Sequence, residues 1–248
     1  MASLGDDVFV LSGQQVLVYD AETFTLKRHI TVTGLGNNSL GLAACGRHKC
    51  IYVSDRGHYS VHRADLGGSS AVKSWSVAND PRGLSVNNAH NLVVACCTAN
   101  KLQEYTTHGI LVREIILQAG VTSPWHAVQL SSGHYVVSQC KSPGVVAIVG
   151  IDGQGRCTYG QSQTADVGEI QCPRSLAVTK NDHILIADPF GGRILSVNSS
   201  LSSMRELALP VDGELQEPLG LCLDESRSRL YVGERFGTCR LLVFDVAL

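Results

Sequence analysis

Several side chains in this chain have the chemistry of a binding surface and share one recurring position. Arg82, Trp125, His126 and Arg174 stand at the start of apolar runs, in Pro81-Arg82-Gly83-Leu84, Pro124-Trp125-His126-Ala127 and Pro173-Arg174-Ser175-Leu176. A guanidinium is a planar fork that grips carboxylates and phosphates. A tryptophan is a rigid, amphipathic anchor of the kind that carries binding energy. Arg56, Tyr59, Lys101, Lys141, Phe190, Arg235 and Phe236 occupy a second recurring position, with His58 and Arg193 beside them. This basic and aromatic mixture suits an acidic peptide or single-stranded RNA. Asp55, Asp80, Asp188, Glu217 and Glu234 are interleaved with it, so the charge is mixed and is no continuous phosphate track.

Positioning those residues falls to a repeat. Gly41, Gly83, His126, Ser175 and Gly220 are equivalent, separated by 42, 43, 49 and 45 residues. Each begins an apolar stretch, followed by an alternating run that ends in a small and then a polar residue. A Gly-containing loop and another apolar strand complete the phrase. Four short strands in forty-odd residues make one propeller blade. In the clearest copy, Ser175–Val178, His183–Ala187, Arg193–Val197 and Met204–Leu209 are predicted as strands a to d, with turn residues between them.

The same register divides the chain into blades at 1–38, 39–79, 80–122, 123–170, 171–217 and 218–248. The first lacks a clear strand a and the last lacks strand d, so either both are three-stranded or their missing strands come from outside residues 1–248. No stretch sustains a helical period. The predicted fold is all-β, a six-bladed β-propeller formed by one domain over 1–248.

In its Pro81-Arg82-Gly83-Leu84, Pro173-Arg174-Ser175-Leu176-Ala177-Val178 and Ile186-Ala187-Asp188 to Gly192-Arg193-Ile194 segments the chain resembles the NHL-repeat propellers, including the NHL domains of tripartite-motif proteins. It departs from that pattern where Cys96 and Gln139 replace the aspartate after strand b, and where His126 replaces the opening glycine. The resemblance implies a propeller whose d–a and b–c loops share one face, gathering the residues named above. It further implies a substrate-recruiting module of a larger protein, with RNA binding on the same face as one alternative and a metal-dependent hydrolase or lyase as another.

Enzymatic chemistry finds little support in the residues. G-x-S-x-G, H-E-x-x-H and P-loop motifs are absent. Leu40, Arg82, Trp125, Arg174 and Leu219 stand where calcium-dependent propellers place oxygen ligands, and none is a hard-cation ligand. Only His126 is placed for a channel zinc, which needs several histidines. The expectation is therefore no catalytic residue, no metal and no cofactor, with a protein or peptide as partner.

Bulk composition agrees. The 248 residues are 44% hydrophobic with a formal charge of −2, which gives no global pull toward nucleic acid or membrane, so any such affinity requires a local patch. No apolar run is long enough to span a bilayer, and no membrane partner is expected. Nine cysteines without a C-x-x-C pair point to reduced thiols and a cytoplasmic protein. Cys45 and Cys50 flank a tight hairpin connection, and Asn37 and Asn198 begin glycosylation triplets, which leaves a secreted origin open.

Overall fold

Alternating apolar residues become strands wherever the sequence carries them. The computed structural model describes residues 1–67, 72–118, 120–139, 141, 144–159, 168–210, 215–235 and 240–246. The first blade comprises Ala2–Leu4, Asp7–Ser12, Gln15–Asp20 and Leu26–Thr31. The second has Ser39–Cys45, Cys50–Asp55, Ser60–Asp65 and Val72–Ser76, and the third Pro81–Val86, Leu92–Cys96, Lys101–Tyr105 and Leu111–Ile116. The fourth has Pro124–Gln129, Tyr135–Gln139, Val145–Val149 and Gly155–Tyr159. Leu176–Val178, Ile184–Asp188, Arg193–Val197 and Arg205–Glu206 make the fifth; Pro218–Asp224, Arg229–Glu234 and Leu241–Asp245 make the sixth. Each set forms its own antiparallel sheet in sequence order, the last with three strands. The fold is all-β, a six-bladed β-propeller.

The expectation for the first blade is corrected. Ala2–Leu4 supplies its strand a, pairing Ala2 with Phe9 and Leu4 with Asp7. Three residues are too few for a period-two signal, which is why the sequence pattern missed them.

Contacts group the chain into two compact units, residues 1–114 and 115–248. In the first unit, Phe9, Val16 and Val18 pack with Ile51 and Val53, while Tyr52 and Val61 pack with Leu92, Val94 and Tyr105. Trp75, in an outer strand, lies between Tyr52 and Tyr105 at ring separations of 6.3 and 6.0 Å. In the second unit, Val136 and Val146 pack with Ile184, Ile186 and Leu195, and Leu185 and Ile194 with Leu230, Val232 and Phe244. Both faces of the inner strands are thereby buried.

Every a–b turn includes a left-handed residue: Gly5, Lys49, His90, Gly133, Asp182 and Ser228 have φ between 45° and 84°. That conformation closes a tight antiparallel connection. Cys45 and Cys50 are directly opposed at one such turn and are free thiols. The expectation of reduced thiols fails at Cys172, which is disulfide-bonded.

The repeated phrase gains a physical meaning at two positions. Its small residue reaches the next blade: Ser54 Oγ donates to the Arg82 carbonyl at 2.7 Å and accepts from Gly41 N–H at 2.7 Å. A Cβ on Gly41 would stand 2.3 Å from that carbonyl oxygen, so glycine is required there. Its final polar residue holds the linker that precedes its own blade. Asp55 accepts from Gly36 N–H, Gln139 from Thr122 N–H, Asp188 from Gln171 and Cys172 N–H, and Glu234 from Gln216 N–H. In the third blade Gln103 takes over, accepting from Ala78 N–H at 2.8 Å, because Cys96 offers no such acceptor.

Two outcomes follow for unfolding in urea. Gly41→Ala is expected to cost about 2 kcal/mol or more through the backbone clash it creates; an unchanged midpoint would contradict this. Burial alone would push the Asp55 carboxyl up, but bonds from the His58 ring and from the Gly36 and His58 N–H groups outweigh it and hold the carboxyl below its usual range. A folded value below the unfolded one stabilises above the ordinary carboxylate range, and that contribution disappears as pH falls through the folded value. Wild type should lose more stability than Asp55→Asn between about pH 5 and about pH 3; equal losses would oppose this assignment.

Candidate binding site

In the unit spanning 115–248, an arginine is enclosed by two aromatic rings. The Arg174 guanidinium carbon lies 4.6 Å from the centre of the Trp125 ring and 5.7 Å from that of Phe190. Both distances are within cation–π range. Each member has its own support. The ladder shifts register between Pro124 and His126, so Trp125 occupies the bulge and its side chain is re-aimed. The backbone of Arg174 is tied at both ends: its N–H donates to the Ala187 carbonyl at 3.0 Å, and its carbonyl accepts from Ser138 Oγ at 2.6 Å.

Phe190 projects from a one-turn 3-10 segment, Pro189–Gly191, and is 58% exposed. A Cβ on Gly191 would lie 2.5 Å from an Asp188 carboxylate oxygen, which accounts for the glycine after Phe190. Asp188 is thus common to the linker before Arg174 and the turn that carries Phe190.

His126 points elsewhere. Its Nδ1 accepts the Leu176 N–H at 3.0 Å, placing the ring proton on Nε2 and tying strand a of the fourth blade to that of the fifth. Ser175, the equivalent residue one blade on, accepts the Leu221 N–H in the same way at 3.0 Å. The departures from glycine at this position therefore replace close backbone contact with a side-chain hydrogen bond. Arg193 is committed to Asp188 at 3.3 Å and to the Glu169 carbonyl at 2.8 Å. Lys141 and Arg235 are exposed, the latter bonded through its N–H to the Glu217 carbonyl at 3.3 Å. Phe236 lies outside the described residues.

In the unit spanning 1–114, the expected cations come together around a shared carboxylate. Asp80 lies 2.9 Å from Arg82 and 2.5 Å from Arg56. Lys101 pairs with Glu114 at 2.6 Å. Tyr59 is exposed at a left-handed position, and the exposed His58 ring bonds the buried Asp55 through Nδ1 at 2.8 Å. Cys97, which sequence reasoning passed over, donates its N–H to the Asp80 carbonyl. Burial foremost, with Asp80 adding to it, pushes its thiol up. The Cys96 thiol is pushed up to about 12, chiefly by burial. Neither is a ready nucleophile at neutral pH. Among the described residues, no three His, Cys, Asp or Glu side chains are grouped to hold a metal ion.

No protein-family profile and no curated relative matches the sequence. Solved structures do share the fold. A chain from a nidogen/laminin complex is 16% identical with a TM-score of 0.76, over 97% of this chain and 89% of that one. A Bacteroides caccae protein of unknown function is 15% identical with a TM-score of 0.74, over 97% and 90%. A streptogramin B lyase is 11% identical with a TM-score of 0.70, over 100% and 82%. At these identities the likeness concerns the fold alone.

His126→Ala is expected to lower folding stability by about 1–2 kcal/mol, because the Leu176 N–H loses its acceptor. Equal unfolding midpoints for the variant and wild type would remove His126 from that structural role.

Proposed function

We propose that the protein is a non-catalytic recognition propeller that holds a protein or peptide partner through the Trp125–Arg174–Phe190 stack. The observation that carries this reading is the stack itself, a cation within 4.6 Å and 5.7 Å of two ring centres, one ring being an exposed phenylalanine on a rigid turn. Aromatic and arginine side chains are enriched at interfaces and among the anchors that carry binding energy. The arginine supplies direction, since its fork favours a carboxylate from the partner. A similar fold in a nidogen/laminin complex is consistent with a propeller serving protein–protein recognition. By resemblance, the module would recruit substrates within a larger tripartite-motif-like protein.

RNA binding on the same residues is the weaker reading. A phosphate track needs cations whose charge is not already neutralised. Arg56 and Arg82 share Asp80, Lys101 has Glu114, Arg193 has Asp188, and Arg240 has Glu234 at 2.8 Å. The lyase reading draws on fold likeness to streptogramin B lyase, and fold does not transfer chemistry.

The test compares affinity capture by wild type with capture by Trp125→Ala, Arg174→Ala and Phe190→Ala, each first shown to be folded. A partner retained by wild type should fall by about tenfold or more with each variant, as for a hot-spot cluster. Unchanged recovery by all three would remove the stack from the site. Stoichiometric calcium or zinc in the purified protein, lost on His126→Ala together with a hydrolytic or lyase activity, would overturn the non-catalytic reading.

A further inference from the structure

The least neutralised positive charge in residues 1–114 lies at the opposite ends of the sheets from Arg56 and Arg82. Antiparallel order puts the a–b and c–d turns at one end of each blade and the b–c loops at the other. The a–b turn of the second blade is Gly46-Arg47-His48-Lys49, with Arg47 and Lys49 exposed. The corresponding turn of the third blade carries His90, 42 residues after His48, the same step that separates Gly41 from Gly83. The two rings meet edge-on with centroids 6.4 Å apart. Lys73 is exposed at the start of the second blade's strand d, beside that end. None of Arg47, Lys49 and Lys73 forms a side-chain ion pair among the described residues.

Exposed apolar residues border this charge. The c–d turn of the third blade runs through His108 and Gly109 to Ile110 and Leu111, which are 65% and 45% exposed. Gly109 rests on the Trp75 ring, where a Cβ would come within 2.7 Å of it, so the turn has a firm base. Permanent cations beside projecting aliphatic side chains match an anionic lipid surface. Single-stranded nucleic acid needs a run of stacking rings, and the exposed Phe and Tyr rings among the described residues of 1–114 are only Phe24, on the first blade's c–d turn, and Tyr59, at the opposite end.

We infer that this turn end docks on anionic lipid headgroups through Arg47, Lys49 and Lys73, with Ile110 and Leu111 entering the interface and His48 adding charge on acidification. The groups facing His48 are Arg47 and Lys49 on its own turn, Arg63, His90 and His108. The acids nearby are Asp65, which holds Arg63 at 2.5 Å; Asp6, on the neighbouring turn whose Leu4 approaches Gly46; and the buried Glu104, which accepts from Asn87 and Asn91 on either side of His90 and pairs with Arg113 at 2.8 Å. Burial first, then Arg47, His90, Arg63 and His108, push the His48 imidazole below its usual range. An anionic surface favours the protonated form, so attachment tightens as pH falls.

Vesicle co-sedimentation tests this. The protein is mixed with phosphatidylcholine vesicles, with or without about 30% phosphatidylserine, at about pH 5.5 and about pH 7.5. Wild type should pellet with the phosphatidylserine vesicles alone, more strongly at the lower pH and less in high salt. The Arg47→Glu/Lys73→Glu pair should weaken binding by at least about tenfold. Ile110→Ser should weaken it while leaving the salt dependence intact. These sites are exposed, and matching urea midpoints will show that the variants are folded. Absence of pelleting with anionic vesicles at either pH, or equal pelleting by the charge-reversed variant, would overturn the inference. Tighter binding to a single-stranded RNA than to the vesicles would do the same.

Discussion

A buried acceptor at the end of strand b is the interaction on which the rest of this molecule depends. Asp55, Gln139, Asp188 and Glu234 each take a backbone N–H from the linker that leads into the same blade. An unsatisfied linker amide in such a setting would carry the desolvation penalty of a lost hydrogen bond. Three of the four acceptors are carboxylates, and each of those has a cationic or imidazole neighbour, His58, Arg193 or Arg240. A buried carboxylate persists because it is paired and multiply hydrogen-bonded. The same arrangement consumes much of the positive charge that a phosphate-binding face would need.

The candidate site depends on one of these acceptors. Asp188 receives Gln171 and Cys172 N–H just before Arg174, while its other oxygen lies against the turn that presents Phe190. Two members of the stack are thus positioned by one buried carboxylate. The third, Trp125, is aimed by the bulge that follows Pro124. The proposed site and the fold share Asp188, so variants that disturb Asp188 would be poor probes of binding, whereas Phe190, at the tip, is a good one.

Much of the fold was legible because inner strands alternate visibly and the turns between them carry Gly, Asn and Asp. Arg193–Val197 matches its expected bounds, and the strand expected at His183–Ala187 lies at Ile184–Asp188, one residue on at each end. What escaped was short or exposed: Ala2–Leu4 is too brief to show a period, and the outer strand at Arg205–Glu206 is much shorter than its apolar neighbours suggested. Among the candidate residues, sequence placed Trp125 and Arg174 at equivalent positions, and they prove to touch. It could not show that Arg56 and Arg82 share Asp80, or that His126 serves Leu176, because those contacts join residues on different strands or blades. The pairing of His48 with His90 was legible in principle, from a spacing equal to the repeat, but it lies at the end of the sheets opposite the strand-a entries and b–c loops.

Immobilisation of the linkers by side-chain acceptors, as opposed to free loops, is what this structure requires. Native-state hydrogen exchange at Gly36, Thr122, Gln171, Cys172 and Gln216 tests it most directly, since these amides lie outside the strands yet have buried acceptors. Protection of these amides should be comparable to that of the adjoining strands. Exchange as fast as at the exposed turn residues would contradict it.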